Sequence, residues 1–296
     1  MQPFIGVLRL LPSGVVPGLC LIVAAIALAP TASAHHEAIF GPQSSLLYSS
    51  ERFVSVQAFT RQLGTSSQRT QETTGVLSGG FNLVKGVPLA FTAILPYSSI
   101  NELDAGSSTS GFEDSILGLR YRYDLAGLIE KWNREGNFIL GMAGVEIPSG
   151  VIDHKAWNAP FDYLGGVLGS LERGRWSGIG YAYYRYNALY RSGTNKGNNL
   201  FLGGGLAFTP NEDIETGKLI SYQLGWSYER YFKDAISGVR DPQTGGEEVL
   251  FHPTIVYSPG RGLLFFGLVS IPVWRDFHDT LAQDRFRVGT GVVYSW

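Results

Sequence analysis

The sequence is poor in cysteine, which limits its covalent chemistry. Its single cysteine, Cys20, lies in the apolar stretch Gly18 to Leu28, behind the positively charged Arg9. The pattern Ala32-Ser33-Ala34 follows as an A-x-A cleavage site, so residues 1–34 are predicted to be a cleavable secretory signal peptide. Cys20 would then leave with the signal peptide. The mature chain is therefore expected to lack disulfides and thiol chemistry.

Charge is also scarce. Only 16% of the residues are charged and the formal net charge is -2, well below the quarter that is usual in soluble domains. A chain of near-neutral charge gives no electrostatic reason to expect a nucleic acid partner.

Long hydrophobic runs are absent beyond the N-terminal region. The longest nearly unbroken one, Gly262 to Trp274, is too short to cross a bilayer as a helix. An exported chain of this kind is either a soluble secreted β protein or an outer-membrane barrel.

What the sequence does contain is a series of alternating segments. Alternation of apolar and polar residues predicts β-strands with one apolar face. We predict residues 35–52 as an N-terminal lead-in that enters the lumen, and residues 53–296 as an all-β transmembrane up-and-down barrel of about twelve strands. The predicted strands are Phe53–Leu63, Val76–Lys85, Val87–Leu95, Ser115–Tyr123, Asn137–Ile147, Tyr163–Glu172, Trp176–Asn187, Leu200–Thr209, Ser221–Phe232, Val249–Ser258, Gly262–Trp274 and Arg285–Trp296.

The connections between these strands are predicted to alternate in length. With both ends of the barrel in the periplasm, long loops lie outside and short turns inside. Pro96–Gly111 is the first long external loop, whereas Arg173–Arg175 and Pro259–Arg261 are tight internal turns.

The last strand, Arg285–Trp296, ends the sequence on an aromatic residue. It resembles the closing strand of bacterial outer-membrane barrels, in which the C-terminal aromatic is part of the assembly signal. This resemblance implies that Trp296 is an assembly signal and that the barrel-assembly machinery and outer-membrane lipid are partners.

Three motifs resemble one outer-membrane family. They are Ile94-Leu95-Pro96-Tyr97, the run Gly111 to Tyr123, and Val145 to Gly150. They are similar to the family of the meta-pathway of phenol degradation, distant relatives of the hydrophobic-compound channels. Glu113 stands where the family commonly has the second glycine of Gly-x-Gly-Asp. The resemblance covers most of the mature chain and implies passive transport of small hydrophobic or aromatic solutes, without a cofactor.

Charged residues on the polar strand faces are the candidate lumen lining. A charge facing lipid at the bilayer midplane costs roughly 2–4 kcal/mol for Arg or Lys, so these side chains are expected to point inward. Two interpretations stay open: a conducting path lined by both signs of charge, or ion pairs that fill a closed lumen. The candidates are Arg120, Arg122, Glu146, Glu229, Arg285 and Arg287.

Two alternatives to a channel remain. His35 and His36 would begin the mature chain and offer nitrogen ligands for a metal such as Cu(II), which gives a non-conducting structural or metal-handling barrel. A barrel enzyme ranks third. It would need a histidine beside a serine or carboxylate, and no such constellation or catalytic motif is evident in the sequence.

Overall fold

The computed structural model describes residues 52–64, 69–125, 136–148, 161–188, 194–213, 217–277 and 283–296. The predicted signal peptide, all of the lead-in except Arg52, and the metal candidates His35 and His36 lie outside these residues.

The described residues form sixteen strands. In chain order they are β1 (Arg52–Gly64), β2 (Arg69–Asn82), β3 (Leu89–Glu102), β4 (Ser107–Phe112), β5 (Ser115–Asp124), β6 (Phe138–Ile147), β7 (Asp162–Arg173), β8 (Trp176–Tyr186), β9 (Thr194–Asn195), β10 (Asn199–Asp213), β11 (Lys218–Tyr231), β12 (Ala235–Ile236), β13 (Val239–Arg240), β14 (Gly246–Gly260), β15 (Leu263–Phe277) and β16 (Gln283–Ser295).

Thirteen of these strands form one antiparallel sheet that closes on itself. β1 pairs with β2 on one side and with β16 on the other, and β2 also pairs with β3. Because β4 and β5 both pair with β3 and share one position in the wall, the wall has twelve positions. The predicted twelve-strand barrel is therefore confirmed. The short strands β9, β12 and β13 form a separate sheet.

The alternation in the sequence gives the closed sheet an apolar outer face and a more polar inner face. In β16, Phe286 and Val288 are 41% and 43% exposed on the outer face, whereas Arg287 between them is 5% exposed on the inner face. A closed sheet pairs every wall strand on both sides, which satisfies the backbone where water is absent. No helix in the described part of the chain is long and apolar enough to cross a bilayer.

The outer face of the barrel is a broad apolar surface. Such a band is covered by lipid in transmembrane barrels, whereas soluble monomers rarely expose a contiguous apolar surface that surrounds the molecule. Its exposed side chains include Leu77, Leu95, Leu119, Tyr121, Ile139, Val167, Tyr222, Ile255, Val269 and Ile271.

The tight turns are confirmed at one end of the barrel. β7 and β8 are joined by residues 174–175, and β14 and β15 by Arg261 and Gly262, whose φ angles of 58° and 75° are those of a type I′ hairpin. A Cβ atom at Gly262 would collide with the carbonyl oxygen of Ser295. We call this end, where β1 begins and β16 ends, the terminal end, and the opposite end the loop end.

The predicted long loop Pro96–Gly111 is wrong. β3 continues through Pro96 to Glu102 and β4 begins at Ser107, so only residues 103–106 turn. The extension is rich in serine and threonine and bonds strand to strand, as in the pairs Ser98↔Gly111 and Ile100↔Thr109. A polar strand pair beyond the apolar band has no apolar face, so its sequence looks like a loop.

Candidate functional site

Apolar side chains line the inner face of the barrel, mainly between its middle and the terminal end. They form one buried cluster to which each of the twelve wall positions contributes, counting the partly buried Leu219 of β11 and, nearer the loop end, Phe201 of β10. We call these residues the apolar interior; they include Phe53, Val76, Ile94, Ile116, Phe138, Leu140, Leu168, Val256, Phe266, Leu268 and Val293.

A belt of buried charges lies on the inner face near the loop end. It occupies β1, β2, β6, β7, β8, β11, β14 and β16, at the ends of those strands that face the loops. We call it the charged belt; its members are Arg61, Glu72, Glu146, Asp162, Arg185, Glu229, Glu248 and Arg287, all of them buried.

Arg287 is the centre of the first group in the belt. Its guanidinium donates to both carboxylate oxygens of Glu229, at 3.0 and 3.2 Å, and its Nη2 also donates to Oε1 of Glu248 at 2.5 Å. The side chain reaches from β16 across β15 to β14 and β11. Fork-shaped pairing of this kind is the strong form of an Arg–carboxylate contact.

A histidine lies directly beside this group. Nε2 of His252 is 2.8 Å from Oγ of Ser227, and Nδ1 is 2.7 Å from Oγ of Ser270. Ser227 can also donate to Oε1 of Glu229, at 3.2 Å. This constellation cannot be recognised in the sequence, because its serines are 25 and 18 residues away from His252 on other strands.

His252 is 5% exposed, and both of its ring nitrogens contact hydroxyl groups. The ring is therefore held between Ser227 of β11 and Ser270 of β15 on the inner wall, beside the Arg287 group.

Arg185 is the centre of the second group. It contacts Glu146 of β6 and Asp162 of β7, both at 2.9 Å. The backbone N–H of Ala188 donates to the second oxygen of Asp162 at 2.8 Å. The third group is the pair Arg61–Glu72, at 2.6 Å, between β1 and β2.

The six residues chosen from the sequence lie in three different settings. Glu146, Glu229 and Arg287 belong to the charged belt. Arg120 is also buried but lies closer to the terminal end, over the ring of Phe53 at 5.1 Å. Arg122 lies over Phe138 at 4.5 Å and contacts Asp124. Arg285 is exposed at the loop end, against Gly64. The structure therefore groups three of the six, and adds Glu248, Arg185, Asp162, Arg61 and Glu72.

Four aromatic rings form a continuous row on the inner wall beside the belt. The ring centroids of Tyr183 and Phe201 are 5.6 Å apart, those of Phe201 and Tyr231 6.1 Å, and those of Tyr231 and Phe277 6.0 Å. The hydroxyl of Tyr231 donates to Oε2 of Glu229 at 2.9 Å. The row thus runs around the inner wall at the level of the charged belt.

The described residues contain no group of three or more His, Cys, Asp or Glu side chains that could hold a metal ion. Trp296 lies exposed at the terminal end, where its ring stacks on Tyr294 at 5.5 Å and its backbone N–H donates to the carbonyl of Arg52 at 3.3 Å.

A closed antiparallel barrel of twelve strands with an apolar outer wall defines an outer-membrane β-barrel. Among solved structures, the chain is similar to an outer membrane channel from Pseudomonas putida F1, with a TM-score of 0.63 and 13% identity over 83% of this chain and 95% of that one. At this identity the similarity concerns the fold.

Two further structures have lower scores. The beta domain of the Bordetella autotransporter BrkA has a TM-score of 0.48 and 12% identity, over 83% of this chain and 100% of that one. The KdgM porin has a TM-score of 0.45 and 11% identity, over 82% and 99%. No family model matches the chain and no curated protein is similar in sequence, so the resemblance to the phenol meta-pathway family stays a prediction.

Proposed function

We propose that this protein is an outer-membrane channel for the passive passage of small hydrophobic or aromatic solutes. The observation that carries the proposal is the apolar interior, to which all twelve wall positions contribute. Barrels that pass hydrophilic solutes have polar, water-filled interiors. An apolar solute gains roughly 25 cal/mol for each Å² of apolar surface that it removes from water, so this lining favours uncharged solutes.

The charged belt is also consistent with a preference for uncharged solutes. Its arginines are bound to carboxylates of other strands, as in Arg287 with Glu229 and Arg185 with Asp162. Paired charges attract a passing ion less strongly than unpaired charges do, because the fields of the two partners largely cancel. The aromatic row from Phe277 to Tyr183 provides a weakly polar surface alongside, and aromatic rings pack favourably against one another.

The test uses two neighbouring residues on opposite faces of β15. Leu268 belongs to the apolar interior and Val269 is exposed on the outer wall. Cells with an intact outer membrane exclude N-phenyl-1-naphthylamine, a neutral aromatic that fluoresces in apolar surroundings. We expect the wild-type chain to speed its uptake, Leu268→Ser to slow that uptake, and Val269→Ser to leave it unchanged at equal levels of folded barrel. Uptake no faster than in cells without the chain would refute the proposal.

A non-conducting structural barrel is the second candidate. The observation that favours it is the charged belt itself, whose three groups tie eight of the twelve wall positions together. A barrel of this kind would leave both probe uptake and single-channel conductance at background, whereas a channel for apolar solutes would raise probe uptake.

A further inference from the structure

A groove of about 770 Å³ crosses the outer face of β7, β8 and β10 toward the terminal end. Its floor is made of outward-facing glycines, and large apolar side chains form its rim. The floor consists of Gly169, Gly178, Gly180 and Gly204, and the rim of Ile139, Leu171, Leu206, Leu224 and Trp226.

The space above Gly169, Gly178 and Gly180 is open, whereas the ring of Trp226 lies beside Gly204. A Cβ atom added to Gly180 would have its nearest neighbour at 3.9 Å, and one added to Gly169 at 4.0 Å. The rim residues Leu206 and Trp226 are exposed on the same outer face. The only polar atom that the rim side chains carry is the indole nitrogen of Trp226. Such an apolar rim suits a hydrocarbon chain.

A second cleft, of about 570 Å³, lies at the terminal end of the neighbouring strands. It forms where the β10–β11 pairing shifts register between Phe208 and Asn211. Its lining includes two exposed cationic residues, Arg175 and Lys218, together with the hydroxyl-bearing Thr209. Such cationic groups form charge-assisted hydrogen bonds with phosphate oxygens.

The groove and the cleft follow the same strands. On β10, Thr209 of the cleft is three residues beyond Leu206 of the groove, which is about 10 Å along a strand. Trp176 and Phe208 lie between them, with ring centroids 4.8 Å apart. An apolar chain site and a phosphate site therefore adjoin in the order in which a phospholipid carries these groups.

We propose that this outer surface binds one phospholipid, with an acyl chain in the glycine-floored groove and its phosphate between Arg175 and Lys218. The lipid belongs to the leaflet at the terminal end, which is the periplasmic leaflet in the predicted orientation. The groove lies on the outside of the wall and the cleft at its terminal rim, so the site does not depend on which solute, if any, passes through the interior.

The acyl half of the site is tested by filling the groove. Purified barrel is mixed with phosphatidylglycerol and the bound lipid is counted by native mass spectrometry. Gly180→Leu places a side chain in the groove. Gly141→Leu is the matched control, because Gly141 is also an outer-face glycine with nothing within 4 Å of its Cβ position and lies outside the groove lining. Neither glycine has a positive φ, so both variants keep the fold, which the heat-dependent gel shift verifies.

We expect Gly180→Leu to lose the tightly held lipid and Gly141→Leu to keep it. Equal lipid binding by Gly180→Leu and the wild type would overturn the proposal. A change of Gly180→Leu from oligomer to monomer, with no lipid bound to the wild type, would also overturn it, because the groove would then be a contact between two copies of the chain.

The phosphate half is tested with Arg175→Gln combined with Lys218→Gln. We expect this variant to bind phosphatidylglycerol about tenfold more weakly, since the charge-assisted bonds are lost, and to bind phosphate-free diacylglycerol as the wild type does. Lys85→Gln, an exposed lysine in another turn at the same end, is the control and should bind both lipids normally. Equal weakening for both lipids, or for neither, would contradict the assignment of the phosphate.

Discussion

At the scale of single residues, Arg287 holds together two carboxylates that the barrel buries close to each other. Glu229 and Glu248 are directly opposite in the β11–β14 register, and both accept hydrogen bonds from the same guanidinium. Without that cation, two like charges would face each other away from water. The Arg287 side chain therefore stabilises the wall mainly by compensating the negative charge of the two buried carboxylates.

We predict that Arg287→Ala lowers the free energy of unfolding by roughly 3–5 kcal/mol, the usual effect of removing one partner from a buried ion pair. The midpoint of urea unfolding, followed by the gel shift between folded and unfolded barrel, measures it. Arg285→Ala is the matched control on the same strand. As an exposed residue, it should change stability by about 0.5 kcal/mol or less.

A second variant separates charge from packing. Combining Arg287→Met with Glu229→Gln and Glu248→Gln removes all three charges while keeping similar volumes. We expect it to recover most of the lost stability, since neutral groups replace the uncompensated carboxylates. If it is as unstable as Arg287→Ala, packing rather than charge accounts for the effect.

Arg69 and Asp104 provide a pH-dependent contact at the loop end. The Arg69 side chain donates to Oδ1 of Asp104 at 2.9 Å, and the Arg69 backbone N–H donates to Oδ2 at 2.6 Å. The hydrogen bond from the Arg69 side chain, with a contribution from Arg285, holds the pKa of the Asp104 carboxyl below its usual value. The stabilisation is thus present above the ordinary aspartate pKa and lost as the pH falls through the lowered pKa.

We predict that turn 103–106 opens on acidification below the ordinary aspartate pKa. Hydrogen exchange of its amides should become faster in the wild type and show no such step in Asp104→Asn. A wild-type exchange profile that stays flat through acid pH would mean that the contact does not hold the turn.

Among the site residues, those that the sequence could predict are the ones in mid-strand alternation. Arg287 lies between Phe286 and Val288, and Glu229 continues the face opposite Trp226 and Tyr228, so the sequence predicts that both point inward. Glu248 fell one residue outside the predicted strand Val249–Ser258. His252 becomes informative only when Ser227 and Ser270 meet it from neighbouring strands, and that depends on register, which strand patterns do not encode.

At the scale of elements, β16 is the strand on which closure depends. It pairs with β1 over its whole length and with β15 through residues 287–294. The prediction of its two faces followed from simple alternation. The β3–β4 extension was missed because its pairing lies beyond the apolar band and is stabilised by backbone bonds and hydroxyl contacts, such as Ser107 donating to Glu102 at 2.6 Å.

We predict that deleting Trp296 reduces the amount of folded barrel more than it reduces the heat stability of the barrel that does fold. The residue adds one backbone bond, to Arg52, and a ring stacked on Tyr294, which is little in a wall of this size. Trp296→Phe, which keeps a terminal aromatic, is the control and should assemble normally. Normal amounts of folded barrel after the deletion would contradict a role in assembly.

At the scale of the whole molecule, the apolar outer wall determines how the protein behaves in solution. We predict that the mature protein fractionates with the outer membrane, is extracted only by detergent, and migrates differently on gels before and after boiling. The closed wall resists unfolding by detergent at low temperature, because all its strands are paired. Recovery in the soluble periplasmic fraction would contradict this prediction.

The meeting of β1 and β16 also has a kinetic consequence. Phe53 pairs with Ser295, a separation of 295 − 53 = 242 residues, whereas the hairpin between β14 and β15 closes over two residues. Loop-closure entropy for so long a segment costs about 5 kcal/mol, and it is offset only when the whole seam pairs. Contacts this distant in sequence slow folding and leave unpaired strand edges exposed in the meantime. The interval before the seam forms is therefore the period in which this chain is most vulnerable to aggregation and proteolysis.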